Sequence, residues 1–200
     1  MNENIVEICG QIVGEFVFDH EVYHEKFYRN LVEVKRSSGV SDVIPIVVSE
    51  KLLDLSYSWD GEFVELHGQY RSWNRYREDG TKKLELYVFV EHGSAVEVLE
   101  DKNYIELSCV IVKEPKYRTT PKGRTVADVI VAANRAYGKT DYIPLIFWGR
   151  NSHYISTLEV GTRISIVGRI QSREYRKQIG ENEYETRVAY EVSVQNVWEV

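Results

Sequence analysis

The strongest constraint on the fold of this 200-residue chain is an internal repeat of about half its length. The matched landmarks are residues 4–8 with 103–107 and 42–45 with 141–144, displaced by 99 positions, and Gly61 with Gly161 and Gly68 with Gly168, displaced by 100. Landmarks in the same order at one period indicate a duplicated domain. We therefore predict two domains, residues 1–99 and 102–200, with a boundary near residues 98–102, where Glu-Asp-Lys breaks the apolar pattern.

Each copy is predicted to be all-β. In the second copy, Ile105, Leu107, Cys109 and Ile111 alternate with more polar residues, which is typical of a half-buried strand. Further strands are predicted at residues 126–133, 141–148, 163–173 and 186–198, with a polar, basic loop at 113–124 and a short helix or turn at 149–158. Five short strands with a helical link between the third and fourth favour a five-stranded Greek-key barrel, the OB-fold. A β-sandwich is the alternative, because pattern alone does not fix strand order.

Charge is distributed unequally between the halves. Residues 1–100 hold 10 Lys and Arg against 19 Asp and Glu, whereas residues 101–200 hold 15 against 12. This asymmetry indicates different partners for the two domains. The first domain is accordingly expected to be the acidic one.

Enzymatic and metal chemistry find no support in the sequence. The five histidines have no zinc-ligand spacing, and His20 and His24 fall in a predicted loop. We therefore expect no enzyme activity, metal or cofactor. Cys9 and Cys109 are expected to be free buried thiols in a reducing compartment. The sequence has no signal-peptide pattern and no run of apolar residues long enough to span a membrane, so we expect a cytoplasmic protein.

The second copy resembles the bacterial single-stranded DNA-binding protein family along almost its whole length. The residues that carry the resemblance are NYIEL at 103–107, PKYRTTPKG at 115–123, VADVIVAANR at 126–135, TDYIPLIFWG at 140–149 and VGTRISIVGRIQSREY at 160–175. The first copy resembles the family only at residues 4–10, at 42–45 and around Gly61 and Gly68. The resemblance implies OB barrels that stack nucleobases on aromatic side chains.

Four aromatic positions of the family map onto the second copy. They are Tyr137, Tyr142, Trp148 and Tyr175. In the first copy, Val43 and Ser49 stand opposite Tyr142 and Trp148, and neither can stack a base. The resemblance thus predicts a degenerate first barrel and a second barrel that binds single-stranded DNA.

Cations are also needed, because a single strand is held by stacking together with phosphate contacts. The candidate phosphate contacts are Arg118, Lys122, Arg124, Arg135, Arg150, Arg173 and Lys177. Two further aromatic candidates are Tyr117 in the basic loop and Trp73 in a hairpin of the first copy, where aromatic and basic residues interleave.

The predicted function is sequence-tolerant binding of single-stranded DNA in replication, recombination or repair, with a nucleoid-associated location. The alternatives are an OB-fold interaction or assembly module of a replication-restart complex and a single-stranded RNA-binding protein. Two barrels per chain suggest a homodimer with four barrels, as in the family, with possible replication or repair proteins as partners and no membrane. The family's Gly-rich linker with an acidic tip is absent after residue 200, so recruitment by such a tail is not expected.

Overall fold

A computed structural model describes residues 4–76, 80–97 and 102–200, which fold mainly into β-strands. The first half contains β1 (Asn4–Val22), β2 (Glu25–Lys35), β3 (Ser41–Ser49), β4 (Phe63–Tyr76) and β5 (Lys82–Ala95). The second half contains β6 (Asn103–Ile111), β7 (Lys116–Thr119), β8 (Thr125–Asn134), β9 (Thr140–Trp148), helix α1 (Arg150–Ile155), β10 (Arg163–Gln178) and β11 (Tyr184–Glu199). The predicted helical link between the third and fourth strands of the second copy is confirmed by α1.

Each half closes into a five-stranded barrel. In the first half the hydrogen-bonded order is β2-β3-β5-β4-β1, and a further β1–β2 pairing closes the ring. In the second half the order β6-β10-β11-β9-β8 is closed by a β6–β8 pairing. The β3–β5 and β9–β11 pairings are parallel, and the other pairings are antiparallel. This is the predicted tandem OB arrangement, and the sandwich alternative is excluded by the closure.

The repeated glycines have the same structural roles in both barrels. Gly61 and Gly161 lie in the turns before β4 and β10 with φ values of 85° and 96°, a conformation that glycine adopts without steric cost. Gly68 and Gly168 lie at the β-bulges of β4 and β10. A Cβ atom there would overlap the carbonyl oxygen of Phe89 or Ser193 on the paired strand. The glycine landmarks of the repeat therefore mark positions where the backbone itself requires glycine.

Two local expectations need revision, and a third falls outside the described residues. The basic loop at 113–124 contains β7, which pairs with β8 to form a short hairpin. His20 lies within β1 rather than in a loop, because β1 and β2 form a long arm that extends beyond the barrel. The predicted boundary near residues 98–102 falls mainly on residues 98–101, which lie outside the described residues.

The two barrels join edge to edge through β1 and β6. These strands pair antiparallel, with Val6 opposite Ile105. Because these two residues are equivalent in the repeat, the pairing places the barrels about a local twofold axis. The result is one continuous 11-stranded sheet.

Reciprocal ion-pair clusters secure this junction. Arg135 binds the buried Asp141 of the second barrel, and Asp141 Oδ1 accepts a hydrogen bond from the Ser72 N–H of the first barrel at 2.5 Å. In the twofold-related cluster, Arg36 binds the buried Asp42 of the first barrel, and Asp42 Oδ1 accepts a hydrogen bond from the Ser172 N–H of the second at 2.8 Å. Buried carboxylates are tolerated when they are paired and hydrogen-bonded in this way.

The described part of the chain contains neither membrane-spanning helices nor metal-binding clusters. None of its helices is long and apolar enough to cross a membrane. Within the same residues, no group of three or more His, Cys, Asp or Glu side chains could hold a metal ion. Cys9 and Cys109 are both free and buried.

Candidate nucleic-acid interface

Two of the predicted stacking residues lie on the outer face of β9. Side chains alternate along a strand, and β9 directs Ile143 and Phe147 into the core. Tyr142 and Trp148 consequently point outward, with 46% and 37% of their surfaces exposed. The indole N–H of Trp148 donates to Ser193 Oγ on β11 at 3.2 Å, which satisfies the ring's one donor and fixes its orientation. Trp148 is therefore a half-exposed, anchored ring rather than a core residue.

Tyr137 occupies the turn between β8 and β9. It is fully exposed and adopts φ 67°, in the left-handed region that non-glycine residues seldom occupy. Strained backbone of this kind is often retained at functional sites. The turn presents the Tyr137 ring to solvent beside the Tyr142 end of β9.

Tyr175 lies on the long arm formed by β10 and β11. Its ring is 37% exposed, and the Arg173 guanidinium carbon is 5.9 Å from the ring centroid, within cation–π range. The base of this arm contacts the first barrel, where the Val43 N–H donates to Ser172 Oγ at 3.0 Å. Tyr175 thus projects from a segment that crosses toward the other barrel.

The arm of the first barrel makes the reciprocal crossing. The Tyr142 N–H donates to Ser72 Oγ on β4 at 2.9 Å, so this strand borders the outer face of the second barrel. Trp73 directly follows Ser72 and is 56% exposed. The junction therefore places the backbone of Trp73, which the sequence assigns to the first copy, one residue from this contact with the second barrel.

The β7–β8 hairpin carries four of the predicted residues. The Tyr117 ring packs on His153 with centroids 5.0 Å apart, and Arg118 forms an exposed ion pair with Asp128. The hydrogen bonds that Arg118 donates to the Asp128 carboxylate raise the pKa of the Arg118 guanidinium and keep it cationic. Lys122 and Arg124 are exposed at the turn of the hairpin.

The remaining cations differ in availability. Arg150 begins α1 just after Trp148 and is exposed, as is Lys177 on the β10–β11 arm. Arg173 lies 3.7 Å from Glu191 and is also close to Tyr175. Arg135, in contrast, is engaged in the junction, where it binds Asp141 and the Ser72 carbonyl oxygen. These contacts occupy the guanidinium, so we expect Arg135 to stabilise the junction rather than to contact phosphates.

Sequence reasoning missed an aromatic cluster on the first barrel. Val43 and Ser49 do occupy the positions equivalent to Tyr142 and Trp148. On the same outer face, however, the structure places Phe27 from β2 beside Phe89 from β5, with ring centroids 5.8 Å apart. Comparison at a displacement of 99 could not find them, because Phe27 and Phe89 have no aromatic counterparts in the second copy. Outward alternation with buried Val88 and Val90 would have drawn attention to Phe89.

Comparison with known proteins agrees with this geometry. Residues 103–197 match the Single-strand binding protein family. The Single-stranded DNA-binding protein of Thermus aquaticus is 29% identical over 146 residues, which covers 63% of this chain and 54% of that protein. Single-stranded DNA-binding protein 1 of Staphylococcus aureus is 33% identical over 93 residues, which covers 43% and 56%. The chain thus spans about half the length of the curated relatives it matches.

A solved structure matches the fold over both barrels. The crystal structure of the wild-type Thermus aquaticus single-stranded DNA binding protein superposes with a TM-score of 0.76 at 18% identity, covering 98% of this chain and 92% of that one. At this identity the match supports the tandem-barrel fold alone. Together with the matched residues of the second barrel, it leads to one conclusion: residues 103–197 of this chain are similar to the single-strand binding protein family, and both halves share the tandem-barrel fold.

Proposed function

We propose that this protein binds single-stranded DNA with little sequence preference, as part of replication, recombination or repair. The observation that carries the proposal is the outward pair Tyr142 and Trp148 on β9, which offers two ring faces on the sheet surface of a family-matched barrel. Every nucleobase has a π-face, so stacking on such rings tolerates any sequence.

The phosphate contacts in this proposal come from two sides of the stacking face. Lys122 and Arg124 extend from the β7–β8 hairpin, and Arg150 follows Trp148. Arg173 and Lys177 belong to the β10–β11 arm that carries Tyr175. We propose Tyr137, Tyr117, Arg118 and Trp73 as further contacts around the same face.

Titration of the full chain with oligo-dT at low salt tests the proposal, with Trp fluorescence as the readout. Stacking on Trp148 should change the emission, and affinity should fall as salt rises. Unchanged fluorescence together with no binding by anisotropy would refute the function. Competition by poly-U separates DNA from RNA binding: stronger competition by poly-U than by oligo-dT would favour the RNA alternative.

An assembly role is a second candidate, favoured by the acidic first half of the chain, with 19 acidic against 10 basic residues. In that role the first barrel would contact a basic replication or repair protein. Defined basic partner proteins that bind the full chain equally well with and without oligo-dT would support this role. If none of these partner proteins binds the full chain, the assembly role is refuted and DNA binding remains the proposed function.

We also propose a homodimer, a binding rather than catalytic role, and a cytoplasmic, nucleoid-associated location. Four barrels per functional unit are what the family resemblance implies, and twofold association is the commonest soluble arrangement. Light scattering should give twice the chain mass of 23.3 kDa. A chain that remains at 23.3 kDa at working concentration would contradict the dimer.

A further inference from the structure

A ladder of planar groups crosses the outer face of the first barrel. The His20 ring stacks on Phe27 with centroids 4.9 Å apart and planes 10° from parallel. Phe27 contacts Phe89 at 5.8 Å, and the Arg71 guanidinium carbon lies 3.7 Å from the Phe89 centroid. Because Phe27 covers one face of His20, and 43% of the histidine side chain is exposed, the ladder ends in an accessible ring.

This ladder occupies the region that corresponds to Trp148 in the second barrel. Phe27 pairs across the sheet with Ser49, the repeat equivalent of Trp148. Phe89 pairs with Gln69 on β4, just as Ser193, which binds the Trp148 N–H, pairs with Arg169 on β10. The first barrel has therefore replaced the stacking residue with rings supplied by neighbouring strands.

The ladder is also continuous with the candidate interface of the second barrel. The Tyr142 N–H binds Ser72 Oγ at the junction, and Arg71 immediately precedes Ser72 on β4. Arg71 points to the outer face, where it covers Phe89. The Arg71 end of the ladder is therefore one residue along β4 from a hydrogen bond to the Tyr142 backbone.

Local charge at the ladder differs from the acidic average of this half. Arg29 and Arg75 both bind Asp19, and His20 Nδ1 lies 2.7 Å from the same carboxylate. Arg75 also binds Glu85 at 2.9 Å. Lys51 and Glu25 lie beside Ser49, and Glu91 lies next to Arg71. The charges around the ladder therefore balance, without the acidic excess of this half that would repel an anionic strand.

We propose that the first barrel contains a second base-stacking site, in which a nucleobase of single-stranded DNA stacks on the open face of His20, and that a strand bound at Tyr142 reaches it across Arg71. The inference rests on the proposed function of the second barrel. It replaces the expectation of a degenerate first barrel with a relocated site.

Oligonucleotide length provides the test, because one OB barrel contacts about 4–16 nucleotides. The Kd of the full chain is measured by anisotropy for oligo-dT of about 10 and about 30 nucleotides at one low salt concentration. The variants are His20→Ala and Phe27→Leu. We expect each to weaken binding of the long oligonucleotide about fivefold or more, the equivalent of one lost base stack, and to leave the short one unchanged.

Phe18→Leu is the matched control. Phe18 is an exposed aromatic residue on the same β1–β2 arm, but it contacts Tyr28, which faces away from Phe27. Its replacement should leave both affinities unchanged. Unchanged long-oligonucleotide binding in folded His20→Ala and Phe27→Leu variants would overturn the proposal, as would an equal loss on both lengths.

Photocrosslinking gives a readout that does not depend on the variants folding. Long oligo-dT substituted with 5-iodouracil should crosslink to a peptide within residues 17–29, and the short one should not. Absence of such adducts from a complex that crosslinks elsewhere would refute the site. If the wild-type chain binds neither oligonucleotide, the proposed function fails; if it binds both but residues 17–29 play no part, only this inference fails.

Discussion

Trp148 combines exposure with a fixed orientation, and this combination determines what the residue can do. The ring is held by the hydrogen bond to Ser193 Oγ and presents its outer surface to solvent on β9. A ring that is already oriented loses little conformational entropy when a base stacks on it. We therefore expect the Trp148 ring to contribute strongly to the proposed DNA affinity.

Trp148→Ala should weaken oligo-dT binding by about 1–3 kcal/mol, because one stacking face is removed. Trp148→Phe should retain most of the affinity, since it keeps a π-face. Anisotropy titration measures both. Trp198→Ala, at a similarly exposed indole near the end of β11, is the control and should bind like wild type; a loss equal to that of Trp148→Ala would contradict the assignment.

Cys109 should be chemically inert in the folded protein. Burial raises the pKa of its thiol to about 12, so the reactive thiolate is scarce near neutral pH. In a Cys9→Ser background, a thiol reagent at about pH 8 should label Cys109 only after denaturation, because an unperturbed thiol has a pKa of about 8.5. Rapid labelling of the native protein, followed by absorbance, would show that Cys109 is accessible.

Each barrel contributes an arm that contacts the other barrel across the junction. The β4–β5 arm of the first barrel borders Tyr142, and the β10–β11 arm of the second borders Val43. The Asp141 and Asp42 clusters anchor the two crossings. Since both carboxylates are fully buried, they depend on their arginine partners.

Asp141→Asn should destabilise the protein strongly. It leaves the Arg135 guanidinium without its counter-charge inside the junction, and breaking a buried pair in this way costs about 3–5 kcal/mol. Urea denaturation followed by fluorescence measures the loss. Asp128→Asn, which breaks the exposed pair with Arg118, is the matched control and should cost no more than about 1 kcal/mol.

Gly68→Ala and Gly168→Ala should each destabilise their barrel by about 1–3 kcal/mol or more, as expected when a packed site is overfilled. The added methyl would overlap a carbonyl oxygen on the paired strand, which cannot move without breaking the ladder. Thermal unfolding provides the comparison. Gly180→Ala is the control, because its methyl would meet only the Glu183 side chain at 3.4 Å; equal shifts for all three variants would contradict the argument.

At the scale of the whole molecule, the two barrels share a fold but differ in net charge. The second half carries the basic excess, and the first half is acidic. A continuous sheet nevertheless joins their outer faces. Long-range electrostatic attraction of single-stranded DNA should therefore depend on the second barrel, and in particular on its basic β7–β8 hairpin.

Lys122→Ala combined with Arg124→Ala should reduce the salt dependence of oligo-dT binding. Each lost phosphate contact on a single strand lowers the slope of log K against log salt by about 0.7, so the double variant should lose about 1.4. Affinity measured over a range of salt concentrations gives the slope. Lys35→Ala, an exposed cation at the end of β2, is the control; an unchanged slope in the double variant would remove the hairpin from the interface.

The sequence by itself determined the duplication and the barrel strands, because these depend on local periodicity and on backbone positions that only glycine fits. The family resemblance supplied Tyr142 and Trp148 as stacking candidates, and the structure then showed both on the outer face of β9. It did not determine that Arg135 binds Asp141 in the junction, or that β7 forms within the basic loop. It also did not reveal the ladder of His20, Phe27 and Phe89, whose rings come from three separate strands. Only the tertiary structure decided these points. Barrel closure brings the three strands of the ladder together, and the junction adds Ser72 of the first barrel to the Arg135–Asp141 pair. The β7 strand forms only by pairing with β8.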